Sequence, residues 1–331
     1  MTMPTLAEVE AATAVIRPFV PPTPQFAWPL LAARLGCEVW VKHENHTPIG
    51  AFKIRGGLYY LHRLRAERRA VRGLITATRG NHGQSLAFAC RVHRLPVTVV
   101  VPHGNSREKN AAMRALGATL IEHGDDFDAA RLHAVTLAEQ TGFEMVPSFQ
   151  RDLVCGVATY ALELLRAVPH LKTVYVPIGL GSGICSLILV RDSLGLDTEI
   201  VGVVAAEAPA YALSFAAGIV ISTKTATSLA DGVACRVPDP EALSMILAGV
   251  ARIVEVSEGE IARAISTYYT DTHQLAEGAG ALALAGLQKE REHQQGARVG
   301  VVLSGGNIDR STYLEVLKAS LDDRHSGRST G

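Results

Sequence analysis

Short apolar runs rich in valine and isoleucine alternate along the chain with longer, alanine-rich stretches whose apolar positions recur every three or four residues. The first kind predicts strands at Glu38 to Lys42, Leu74 to Thr78, Val97 to Val101, Thr119 to Glu122, Thr173 to Ile178, Ile200 to Val204 and Val299 to Leu303. The second predicts helices at His82 to His93, Ser106 to Leu116, Asp125 to Gln140, Asp152 to Val168 and Ala276 to Glu290. Strands separated by helices imply parallel sheets with helices on both faces, so the fold class is α/β. No linker or repeat period marks a boundary, and the polar tail Asp322 to Gly331 is expected to fray.

Length and composition narrow the function classes. The 331 residues allow one large or two medium domains. Hydrophobic residues make up 48% and charged residues 19%, and 32 Lys plus Arg cancel 32 Asp plus Glu, which argues against nucleic acid or an anionic membrane as partner. The first residues hold no continuous apolar core of signal-peptide type, and no later run is long enough to span a bilayer, so a cytoplasmic protein is expected. Five scattered cysteines without a Cys-x-x-Cys pair indicate neither a disulfide framework nor a structural zinc site.

In α/β sheets ligands sit beyond the carboxyl ends of strands, and four loops there have unusual chemistry. Lys53 lies between Phe52 and Ile54, with Gly50, Gly56 and Gly57 around it. Alone it reads as a snorkelling lysine. Apolar neighbours and a nearby helix N-terminus, however, keep an amine partly neutral and able to form a Schiff base. The turn Thr78-Arg79-Gly80-Asn81-His82-Gly83 reads either as a turn with Asn81 as helix cap, or as an anion site for a substrate carboxylate. Gly179-Leu180-Gly181-Ser182-Gly183 lacks both the dinucleotide and the P-loop spacing, and suits a single terminal phosphate unless it is a plain tight turn. Ser304, in Ser304-Gly305-Gly306-Asn307, either caps a turn or offers a neutral hydroxyl to a pyridine nitrogen, which favours elimination over transamination.

Taken together, from about Pro21 to Asn307, these loops resemble the fold-type II pyridoxal-phosphate family, in its threonine/serine dehydratase and serine racemase branch. Lys42-His43-Glu44-Asn45, Leu229-Ala230-Asp231-Gly232 and Glu277-Gly278-Ala279-Gly280-Ala281 also match. The resemblance implies pyridoxal 5'-phosphate as cofactor, with Lys53 as Schiff-base lysine and catalytic base and Asn81 against the phenolic oxygen. Gly179, Leu180, Gly181, Ser182 and Gly183 would hold the phosphate, Ser304 would face the ring nitrogen, and Thr78, Arg79, Gly80, Asn81 and His82 would bind the substrate. It further implies two open parallel-sheet domains with the cofactor in the cleft between them, and a homodimer. On this reading residues 48–150 form a small domain and residues 1–47 with 151–331 a large one.

The implied reaction removes water from a β-hydroxy-α-amino acid of threonine or serine type to give a 2-oxo acid and ammonia. Three departures matter. Arg79 stands where relatives often carry a small hydroxyl, and an arginine is a poor acid or base, which argues against racemisation. It suits either stacking on an aromatic side chain, as in phenylserine, or pairing with a second carboxylate, as in 3-hydroxyaspartate. Phenylserine is slightly favoured, because phenylserine dehydratases belong to this branch and the loops offer Phe52 but no second cation. Leu180 and Ser182 vary the phosphate loop tolerably. Glu207 matches a cation ligand of some relatives, but no acidic companion follows it in the next loop, so metal is left open. With 24 residues after Asn307, no regulatory domain and no feedback inhibition by isoleucine are expected. Alternatives are a serine racemase, a β-replacement synthase, a nicotinamide oxidoreductase, which would need the missing dinucleotide spacing, and a cofactor-binding protein without turnover.

Overall fold

A computed structural model describes residues 3–68, 70–224, 227 and 229–326. Ten strands are present among them: β1 Gln25–Ala27, β2 Glu38–His43, β3 Leu74–Ala77, β4 Val97–Val101, β5 Thr119–Glu122, β6 Glu144–Met145, β7 Thr173–Pro177, β8 Glu199–Ala205, β9 Arg252–Val256 and β10 Arg298–Leu303. They form two sheets, one of four strands in the order β5-β4-β3-β6 and one of six in the order β1-β2-β10-β7-β8-β9. Every pairing is parallel except β1 with β2, an antiparallel edge joined over Gln25 to Lys42 and Ala27 to Trp40. The α/β class with two mainly parallel sheets is therefore observed.

The chain divides into two compact units. The first comprises Met1–Thr23, His46–Arg166 and Cys185–Leu196, and the second Pro24–Asn45, Ala167–Ile184 and Asp197–Gly331. These bounds differ from a division at 48 and 150 for a packing reason. Helix Arg151–Ala167 crosses helix Lys53–Glu67 at glycine distance, since a Cβ at Gly156 would stand 2.4 Å from the Arg55 carbonyl and one at Gly56 would stand 2.9 Å from that of Leu153. The crossing is locked by Arg55, whose guanidinium is fully buried and donates to both Glu163 oxygens, at 2.8 and 2.9 Å, and to Thr159. A buried charge is tolerated only when paired in this way. The N-terminal helix Leu6–Ile16, closed by a Thr5 to Glu8 capping box, packs on Lys53–Glu67 and brings residues before 48 into the same unit.

Each sheet has its own apolar core. In the first unit Ile75, Ala77 and Val100 pack on Ala130 and Ala134 of helix Phe127–Thr141. In the second, Tyr175, Val201, Val203, Val299 and Val301 cluster with Leu282 to Ala285 of helix Gly278–Lys289. Gly286 of that helix admits Val203, whose side chain would lie 2.6 Å from a Cβ there. The chain is helical as far as Ser326, so part of the tail expected to fray is ordered helix, and 327–331 lie outside the described residues. Among the described residues no helix is long and apolar enough to cross a membrane.

Candidate active site

Lys53 is the first residue of helix Lys53–Glu67, entered from a loop in which the Thr47 hydroxyl bonds both the N–H and the carbonyl of Ala51. Its main chain is pinned from below: the Ser85 hydroxyl donates to the Lys53 carbonyl at 2.6 Å, and a Cβ at Gly57 would lie 2.2 Å from that same hydroxyl oxygen. Only glycine at 57 lets helix Asn81–His93 approach so closely. Phe52 packs edge-on against Tyr160, and the Lys53 ammonium rests 5.0 Å from the Phe52 ring centre. Burial lowers the Lys53 amine from 10.5 to about 8. A lysine in this state yields a neutral nucleophile at mildly alkaline pH.

Ser85 lies four residues after Asn81 on one helix face, so the Ser85 bond also brings the start of that helix alongside Lys53. Asn81 is the first helical residue and not the cap; the cap is Gly80, whose N–H is taken by the Thr78 hydroxyl at 2.9 Å. Thr78 and Gly80 thus shape the turn, and the N–H groups that follow at the helix N-terminus lack intrahelical acceptors and suit an anion. Burial, with the Lys53 charge as a lesser cause, lowers the His82 imidazole to about 3, so it is neutral there and contributes no charge to the turn. Arg79 is half-buried and makes no hydrogen bond or ion pair with any described residue.

The second unit gathers the remaining motifs by backbone contact. A Cβ at Gly278 would stand 2.1 Å from the Leu229 carbonyl oxygen, and one at Gly280 would stand 2.2 Å from that of Gly305. The loops at 229–232, 277–281 and 304–307 therefore nest through glycine alone. Gly179 joins them, its Cβ position 3.1 Å from the Gly232 carbonyl oxygen. Gly181 has φ +104, a conformation L side chains rarely adopt, and Ser182, 2% exposed, begins helix Ser182–Ser193. Tyr211, absent from the sequence reading, steadies this loop by donating to the Leu180 carbonyl at 3.1 Å while accepting the Asp239 N–H. Ser304 is buried at the end of β10, and its hydroxyl reaches the Ala279 carbonyl at only 3.4 Å, a weak bond that a better acceptor displaces.

The candidate residues thus fall into two sets: Lys53, Asn81 and the Thr78 to His82 turn in the first unit, Gly179 to Gly183 and Ser304 in the second. A profile of pyridoxal-phosphate dependent enzymes matches residues 16–305. The chain belongs to that family. This enzyme is 36% identical to L-threonine ammonia-lyase of Geobacter sulfurreducens, over 87% of the chain and 72% of the relative. It is 29% identical to L-threo-3-hydroxyaspartate ammonia-lyase of Saccharomyces cerevisiae, over 97% and 99% respectively. The structure of maize serine racemase superposes with a TM-score of 0.89 at 25% identity, covering 98% of this chain and all of that one.

The residues present fit the cofactor of this family. The Gly179 to Gly183 loop opens onto a helix N-terminus suited to its phosphate, Lys53 has an amine suited to its aldehyde, and Ser304 has a hydroxyl suited to its ring nitrogen. Pyridoxal phosphate, when bound, would supply an electron sink for negative charge at the substrate's α-carbon. One Glu207 carboxylate oxygen is buried without a hydrogen-bond partner, yet no three His, Cys, Asp or Glu side chains gather as a metal site among the described residues. Replacing Ser304 by aspartate is expected to slow elimination by roughly an order of magnitude, because a carboxylate would hold a ring nitrogen protonated. Initial rates of ammonia release at matched cofactor occupancy test this, and equal rates would show that Ser304 does not face the ring.

Proposed function

We propose that this enzyme eliminates water from an L-β-hydroxy-α-amino acid bulkier than serine, releasing a 2-oxo acid and ammonia. The observation that carries the reading is the pairing of a lysine whose amine is lowered to about 8 with an anion-binding helix start held beside it by Ser85. The turn would hold the α-carboxylate, which places the α-hydrogen within reach of the neutral Lys53 amine as base. The ammonium so formed, or the cofactor phosphate, can then protonate the departing β-hydroxyl. Ser304, a neutral partner, suits elimination better than amino-group transfer. The printed names of the two lyase relatives support the same class of reaction. Racemisation is disfavoured by Arg79, which cannot serve as a second proton donor. A homodimeric, cytoplasmic enzyme is the setting this reading carries with it.

Arg79 is the selector in this proposal. Half-buried and without a hydrogen-bond or ion-pair partner among the described residues, it is available to a substrate side chain, by stacking on an aryl group as in phenylserine or by pairing with a carboxylate as in 3-hydroxyaspartate. Arg79→Ser is expected to shift kcat/KM by about tenfold or more towards serine and threonine. Ammonia release from serine, threonine, phenylserine and 3-hydroxyaspartate, measured for both proteins, tests activity and selector together. An identical rank order rejects Arg79, and no ammonia from any of the four rejects the dehydratase.

A further inference from the structure

The start of helix Lys53–Glu67 is held at two points, both within the first unit. One is the Ser85 hydroxyl on the Lys53 carbonyl, at 2.6 Å. A helix held at one point can still turn about its own axis, and such a turn swings the Lys53 arm. The other point is Arg55, two residues on and about 200° around the helix, so it leaves the side opposite to Lys53. Its guanidinium meets acceptors that are themselves fixed. Glu163 takes one Arg55 N–H on each carboxylate oxygen, at 2.8 and 2.9 Å, and its Oε2 also accepts the Thr23 N–H at 3.3 Å. The Thr159 hydroxyl accepts from Arg55 at 3.1 Å and donates to the Gly156 carbonyl at 2.7 Å. Glycine contacts at 56 and 156 already let helices Lys53–Glu67 and Arg151–Ala167 meet, and an apolar pair of similar volume would hold that crossing without burying a guanidinium. What an apolar pair lacks is direction. A fork on a carboxylate admits one orientation, whereas apolar side chains slide past each other.

We infer that Arg55 and Glu163 are positioning residues for Lys53, setting the rotation of helix Lys53–Glu67 and with it the direction in which the lysine arm points. The inference rests on the proposed dehydratase, with Lys53 as its base, and deepens it. An amine on a lysine arm stands about 8 Å from the helix axis, so a rotation of about 10° moves it by about 1 Å, a misplacement that costs on the order of a hundredfold in rate. Ser85 limits sliding along the axis, and Arg55 limits turning about it. Neither constraint replaces the other.

The holoenzyme of the double variant Arg55→Met with Glu163→Leu tests this, because it keeps the packing and removes the fork. It is expected to fold with an unfolding midpoint close to that of the wild type, and to lose about tenfold or more in kcat while KM stays within about threefold. Most of the visible circular dichroism of the bound cofactor, which reports a cofactor held in one orientation, should go with it. Arg55→Lys keeps the charge without the fork and is expected to follow the double variant in kcat. Glu163→Gln retains one acceptor oxygen and should fall between it and the wild type. Wild-type kcat and circular dichroism in the folded double variant overturn the inference, as does a rise in KM alone. If the double variant does not fold, Arg55→Lys and Glu163→Gln decide on the same two readouts. Should the holoenzyme release ammonia from no hydroxy amino acid, the dehydratase reading fails, while the circular dichroism, read without substrate, still decides the role of the pair.

Discussion

Lys53→Ala removes both colour and catalysis. The wild-type protein is expected to be yellow, with the cofactor linked to Lys53, and the alanine variant to lose this linkage while keeping its fold. The fold survives because Ser85 engages the Lys53 carbonyl and not its side chain. Turnover should fall by about a thousandfold or more, the scale expected when a single group supplies both covalent attachment and proton transfer. Borohydride reduction and peptide mapping check the assignment, and cofactor trapped on another lysine would refute it. The amine's ionisation adds a pH dependence. Its folded value of about 8 lies below the ordinary 10.5, so the neutral, attacking form grows as pH rises through about 8, and cofactor uptake should accelerate there. In the cofactor-free protein the unfolded chain holds this proton between about 8 and 10.5 after the folded chain has lost it. Stability should therefore rise with pH across that window, as seen by denaturant titration, and Lys53→Met should flatten the rise.

Gly181→Asp is expected to expel the cofactor. The residue has φ +104, so any L side chain is strained there, and aspartate would add a negative charge where the loop is proposed to hold a phosphate. Strain and repulsion act together, and affinity should drop by about a hundredfold or more. Gly181→Ala, strained but uncharged, separates the two causes. Equilibrium dialysis of each variant against pyridoxal phosphate measures the loss, and full retention by the aspartate variant would place the phosphate elsewhere.

Much of this architecture is legible in the residues, and the exceptions have physical reasons. Val97 to Val101 reads as a strand because β-branched residues fill a buried position in a parallel sheet, and the observed strand has the same bounds. Three strands were not anticipated. Gln25–Ala27 is a three-residue antiparallel edge with Phe26 half exposed, too short and too open to show a pattern. Glu144–Met145 has two residues. Arg252–Val256 begins with an arginine that binds Glu290 and carries an exposed Glu255, so charge masks an edge strand. In the site, Lys53, Ser304 and the glycine loop stand out because each follows a strand with chemistry that plain packing does not need. Tyr211 does not, because its hydroxyl reaches the Leu180 carbonyl from 31 residues away and no spacing rule links the two.

The hydroxyl of Ser85 grips Lys53 by its carbonyl and leaves the side chain out of the grip. Mechanically that makes the residue a pivot, with a fixed hub and an arm of four methylene groups. An amine mounted in this way can change role within a cycle, from tether to proton carrier, by rotating its arm while the helix stays still. The arm's length then becomes the quantity to which the site is tuned, and a cysteine at 53 alkylated to a lysine analogue one atom longer would test that tuning without disturbing the hub.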